Sequence, residues 1–218
     1  MEPLLAFAAA LLAARLAGGL ALRWRARRSP HLAGWSAGLL AYALASAALA
    51  WGAAAGWNEA SFRLYYTCGG LLTAALLGAG SLLLSGRRWA GPVALVYAGL
   101  AIGVGLAAPL SEPVVGDAIP HAQDHLELFP ARVLAIVGNS LGTLAVVVIA
   151  LSSIRRRPVG NTLIIAGVAT AAVGSAVAGL GVAQSAVFIA LAAVLLYLGF
   201  VADGKNFVRF RLIRQRQG

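Results

Sequence analysis

From Val133 to Ile154 the chain reads VLAIVGNSLGTLAVVVIALSSI, with no charge between Arg132 and Arg155. A bilayer core about 30 Å thick takes about 20 apolar residues of helix, so this stretch is long enough to cross one. The rest of the chain agrees with that reading. Of 218 residues, 61% are hydrophobic and 11% charged, whereas a soluble domain covers its surface with roughly 25% charged residues. The 26 glycines come with no collagen-like period and no polar low-complexity tract, so fibrous and disordered classes fall away too.

Working outward from this stretch, uninterrupted apolar segments predict seven transmembrane helices, at about 3–22, 32–56, 62–84, 91–110, 130–153, 161–181 and 183–202. The chain is thus expected to be a single all-α integral membrane domain, 1–218, whose loops and tails are too short for a soluble kinase, nuclease or binding domain. The basic residues set its orientation. Arg23, Arg25, Arg27, Arg28, Arg87, Arg88, Arg155, Arg156, Arg157 and the five of the tail 203–218 follow the odd-numbered spans. That puts 14 of the 17 basic residues on one side, and Glu2, Glu59, Glu112, Asp117, Asp124 and Glu127, six of the seven acids, on the other. Lys and Arg collect in short cytoplasmic loops, so the N-terminus is expected outside and the C-terminus in the cytoplasm.

The first span carries its positive cluster after the apolar run, unlike a secretory signal, and is expected to remain as a helix. A net charge of +10 raises nucleic acid as a partner. Arginines that flank apolar spans without a nucleic-acid-binding motif point instead to anionic lipid headgroups at the cytoplasmic face. The tail, with Phe207, Phe210 and Ile213 between Arg209, Arg211, Arg214 and Arg216, reads as an amphipathic segment on that leaflet. Cys68 is the single cysteine, so no intramolecular disulfide forms.

Seven spans with opposite ends across the membrane suit a 3+1+3 arrangement of two three-helix units joined by a linking helix. Arg27-Arg28-Ser29-Pro30 and Arg155-Arg156-Arg157-Pro158 stand at matching places in such a repeat. In topology alone this resembles SWEET-type transporters and trimeric intracellular cation channels. The chain has neither a Pro-Gln pair nor a Lys-Glu-Val stretch, so no motif residue carries over from either. A retinal Schiff base is excluded because Lys205, the only lysine, lies beyond the last span. Two segments, Gly56-Trp57 through Phe62-Arg63-Leu64-Tyr65-Tyr66 to Gly69-Gly70, and Gly160-Asn161-Thr162-Leu163-Ile164 with Leu198-Gly199-Phe200, resemble uncharacterised bacterial seven-transmembrane-helix proteins. That resemblance implies a multi-pass protein of the bacterial cytoplasmic (inner) membrane and brings no function with it.

Arg15 stands in mid-span, where an arginine costs at least about 2.5–3.5 kcal/mol unless paired or wetted. It either snorkels or joins an interior network, for which Asn139, Tyr42, Tyr97 and Tyr197 are the candidate partners. Arg63 and Arg132 sit just inside the outer boundary, facing the acidic outer loop or an anionic ligand, and Glu59 is spaced to pair with Arg63 on one helix face. Tyr66 belongs to an aromatic belt at that depth. Gly138/Gly142, Gly34/Gly38 and Gly99/Gly103 have the small-xxx-small spacing of closely packed helices, while Asn139 and Thr143 place two hydrogen-bonding groups on one face near the midplane. In the longest loop, 111–129, His121 and His125 are spaced to share a metal with Asp117 or Asp124 as a third ligand; the competing reading is a solvated loop.

No membrane-depth carboxylate pair, Ser-His-Asp set or ligand cluster stands out, so the chain is not expected to be an enzyme or to need a cofactor. The expectation is a small-solute transporter or channel, with Arg15, Asn139, Thr143, Tyr42 and Tyr97 inside and Arg63, Tyr66 and Arg132 at the outer entrance. The alternatives are a membrane sensor or receptor subunit that binds a small-molecule ligand and signals through a partner, or an accessory subunit of a membrane complex. A homo-oligomer or a membrane partner protein fits each of them.

Overall fold

A computed structural model describes residues 2–116, 118–155, 158–179, 187–196 and 198–199. Among these there is no strand, and pairing outside the helices is confined to the isolated bridges Trp57 with Gly116 and Leu110 with Leu126. Five helical stretches are long and apolar enough to cross a membrane: Pro3–Arg27, Pro30–Ala55, Glu59–Leu84, Ala90–Ala107 and Leu128–Ser152. We label the helices α1 (Glu2–Arg27), α2 (Pro30–Ala55), α3 (Glu59–Leu84), α4 (Ala90–Ala107) and α5 (Val133–Ser152). The shorter stretch Leu128–Arg132 leads into α5. Two more apolar helices follow, α6 (Pro158–Gly179) and α7 (Val187–Leu196). The expected spans 161–181 and 183–202 run partly, and the basic tail 203–218 wholly, outside the described residues.

Local chemistry sets the helix ends. Pro30 opens α2 after an extended Ser29, since proline suits the first helical turn and disfavours helix in the residue before it. Gly56, at φ 85°, ends α2 in a conformation costly for other residues. Two residues later Asn58 caps α3: its Oδ1 accepts from the Ser61 N–H at 3.0 Å, and the Ser61 hydroxyl accepts from the Asn58 N–H at 3.0 Å. α4 stops at Ala107, short of the expected residue 110, because Pro109 disfavours helix at Ala108. α1 instead runs past residue 22 to Arg27, with Trp24 packed inward and Arg25 and Arg27 in the last turn, where cations suit the helix dipole.

Three apolar clusters stack along the bundle. At the end where the arginines gather, Leu16, Leu20, Leu39, Leu77 and Val146 meet with Ile164 and Val168 of α6 packed on them. The middle cluster joins Ala41, Ala45, Cys68, Leu71, Ala101 and Ala135. At the loop end, Ala6, Leu49, Trp57, Phe62 and Ala131 close over Ala108, Val114 and Leu126 of the long connection. That connection was expected to be a solvated loop. Ala108, Val114 and Leu126 are instead buried as a cap, while Glu112, Asp124 and Glu127 face outward together with Val115, Leu128 and Phe129.

α2 and α3 are the central helices, with 56% and 50% of their apolar windows buried, against 17% for α4. Glycines let their neighbours close on them. A Cβ at Gly34 would stand 2.9 Å from the Gly80 Cα, and one at Gly78 would stand 2.6 Å from the Gly142 Cα. Gly34/Gly38 and Gly138/Gly142 therefore pack as their spacing predicts, but Gly99 and Gly103 face open space and the close contact on α4 is made by Gly105 against Thr67. Gly142→Val is expected to lower stability in thermal unfolding in detergent by about 1–3 kcal/mol. Gly103→Ala should leave it unchanged or slightly raised; equal losses at both positions would refute this packing scheme.

Candidate functional site

Midway along α3, residues Tyr66–Thr73 wind in wide π turns, each N–H reaching back five residues rather than four. The sequence there is YTCGGLLT, and its paired Gly69 and Gly70 and β-branched Thr67 and Thr73 hold the ordinary helix weakly. The Thr73 hydroxyl donates to the Cys68 carbonyl at 2.7 Å, competing for the ladder from within. Neighbouring helices add side-chain donors to the carbonyls of this segment. Asn139 Nδ2 of α5 donates to the Gly70 carbonyl at 2.7 Å. The Tyr97 hydroxyl of α4 lies 2.9 Å from the Leu71 carbonyl and 3.1 Å from the Leu134 carbonyl, so its single proton is shared between α3 and α5. Gly138 gives the Tyr97 hydroxyl the room to enter.

Above this segment the aromatic rings meet in two groups. His125 meets Phe62 edge-on at 5.3 Å, Phe62 lies against Tyr66 at 6.0 Å, and Trp57 meets Tyr65 edge-on at 5.4 Å. Arg132, half-buried where α5 begins, is near enough for its charge to act on the Tyr66 phenol, and it makes no hydrogen bond or ion pair among the described residues. Arg63 is occupied: Nε pairs with Glu59 at 2.8 Å, as its spacing predicts, and a second guanidinium nitrogen donates to the Gly105 carbonyl at 3.1 Å, which the sequence does not signal. Next to that carbonyl the Thr67 hydroxyl is buried with no partner among the described residues.

The interior set is therefore brought together in part. Tyr97 and Asn139 reach the wide turns, Tyr66 of the expected entrance begins them with Arg132 beside it, and Thr143 is half-buried one helical turn beyond Asn139. Tyr42 stands on α2 and donates to the Ile189 carbonyl of α7 at 2.6 Å. Arg15 does not join them. It is exposed on the outer face of α1 and has no partner among the described residues, while Asn139, Tyr42 and Tyr97 each bond a backbone carbonyl. Tyr197, the fourth partner considered for it, lies outside the described residues.

Of the candidate metal ligands in the long connection, His121, Asp124 and His125 are described. Among the described residues no three of His, Cys, Asp and Glu gather, and His125 is spent on Phe62 and on the Glu112 carbonyl, 3.1 Å from its Nδ1. His121 precedes the single turn Ala122–His125, and Asp117 lies outside the described residues. What the sequence did not signal is a shallow cavity of about 350 Å³ between the start of α3 and this cap, lined by Glu59, Leu110, Ser111, Glu112, Pro113 and Val114.

The residues behind the resemblance have packing roles. Trp57, Phe62, Tyr65 and Tyr66 build the loop end, and the buried Asn161 at the start of α6 donates to the Ser153 hydroxyl beyond the end of α5 at 2.9 Å. No family model matches the chain, and neither does any curated protein or solved structure. Chemically the site offers exchangeable side-chain hydrogen bonds to backbone carbonyls and, in Arg132, a cation with no partner among the described residues. Asn139→Leu and Tyr97→Phe each withdraw a donor from α3 and are expected to cost about 0.6–2 kcal/mol in thermal unfolding. Because both hold adjacent carbonyls of one segment, the double variant should lose less than the sum, and strict additivity would refute a shared segment.

Proposed function

We propose that this apolar helical protein crosses the bacterial inner membrane seven times, N-terminus outside, and carries or conducts a small solute, with no catalytic reaction of its own. The observation behind this reading is the wide-turn segment of α3, buried at mid-helix and held through Gly70 and Leu71 by Asn139 and Tyr97. Irregular backbone at membrane depth persists only where protein or a water-filled path surrounds it, and in transporters solutes are held where helices depart from regular geometry at mid-membrane. A solute with hydroxyl or amide groups has the chemistry to replace Asn139 and Tyr97 on those carbonyls, entering past Tyr66 and the unpaired Arg132. Asn139→Leu and Tyr97→Phe should each cut solute flux in reconstituted liposomes several-fold. Unchanged flux in both variants would remove this segment from the pathway.

The accessory-subunit reading has its own support in α4, whose apolar window is only 17% buried and which leaves Leu95, Val96, Leu100 and Leu106 exposed. Orientation rests on charge. The arginines Arg23, Arg25, Arg27, Arg28, Arg87, Arg88 and Arg155 are exposed at one end without an acidic partner among the described residues, the arrangement that anionic headgroups of the inner leaflet favour. A cysteine replacing the exposed Val115 should react with a membrane-impermeant thiol reagent in intact cells, and one replacing Ser85 only after lysis. The reverse pattern would overturn the topology.

A further inference from the structure

Arg15 lies near the middle of the 26-residue α1, about 12 Å of helix before Arg23, where the charged end of α1 begins. It is exposed, and no residue of the described bundle pairs with it. Around it the outer face of α1 is apolar and regularly spaced: Leu4, Phe7, Leu11, Arg15 itself, Gly18 and Leu22 recur every three or four residues, all exposed. That spacing is the seam of one helix packed along another. Beside Arg15 the seam opens into a notch, since a Cβ at Gly18 or Gly19 would meet nothing within 4 Å. Hydrocarbon is the wrong solvent for a guanidinium at this depth, and charged groups inside membranes are characteristically paired.

A second copy of this chain cannot supply the missing charge. The seven acids, Glu2, Glu59, Glu112, Asp117, Asp124, Glu127 and Asp203, all lie at or beyond the ends of the apolar segments, and a two-fold contact through this face would bring Arg15 against Arg15. We infer that the outer face of α1 docks an apolar transmembrane helix of a different protein that carries one Asp or Glu at mid-membrane depth. The partner's backbone approaches at Gly18 and Gly19, and its carboxylate accepts from the planar fork of Arg15, an arrangement an ammonium reproduces only in part.

The test uses the full chain in phosphatidylcholine vesicles and a labelled synthetic Leu-Ala transmembrane peptide with one central Asp, association being read by energy transfer. The Asp peptide should bind the wild type, and Arg15→Leu in the chain or Leu for Asp in the peptide should each weaken binding by roughly tenfold or more. Arg15→Lys should keep part of the binding, which separates loss of charge from loss of fold. Equal binding of the Asp and Leu peptides, no binding of either, or Asp-peptide binding that survives Arg15→Leu would overturn the inference. Arg15-dependent self-association of the chain without peptide would also overturn it, assigning the face to a second copy.

Discussion

The carbonyls of Gly70 and Leu71 are the groups around which the bundle is arranged. At membrane depth no water competes for a backbone acceptor, so donors from neighbouring helices tie firmly to it, and two carbonyls of the wide turns in α3 receive such donors. Asn139 and Tyr97 supply them from two sides, and this fixes the register of α4 and α5 against α3. The glycines follow from the same need. Gly138 admits the Tyr97 hydroxyl, and Gly142 lets α5 lie against Ala74 and Gly78 just beyond the wide turns.

Charge is divided along the bundle with equal economy. The exposed arginines at one end have no acidic partner among the described residues, while at the other end Glu112, Asp124 and Glu127 stay outside a cap that buries Val114 and Leu126. Between these ends the charged side chains are few, and each has a distinct setting. Arg63 is neutralised by Glu59 and tied to α4, Arg132 is half-buried beside Tyr66, and Arg15 faces outward. One pair is thus structural, and the other two cations stand where something from outside the fold can meet them: a solute at Arg132 in the transport reading, a partner helix at Arg15.

Hydropathy and charge order made the helical class and most helix ends legible, because membrane thickness and the proline and glycine stops act locally on the chain. The Glu59–Arg63 pair was legible for the same reason, being set by spacing on one helix. The wide turns were not. Gly69-Gly70 between threonines is only a weak signal, and what stabilises the segment lies 69 residues away in Asn139. Nor could the sequence decide which faces meet: Gly99/Gly103 and Gly138/Gly142 have the same spacing, yet only the second is covered. The long connection read as solvent-exposed because its charges dominate the composition, whereas Val114 and Leu126 decide its position by burial. Arg15 drew attention for its cost, and its outward placement is a property of packing that no local pattern encodes.

The most direct measurement of the central claim is the solid-state NMR carbonyl shift of Gly70, isotopically labelled in the protein in lipid bilayers, compared between wild type and Asn139→Leu. If Asn139 donates to this carbonyl, its resonance should move in the variant while that of Gly18, on the far side of the bundle, stays in place. A Gly70 resonance unchanged by Asn139→Leu would contradict the account.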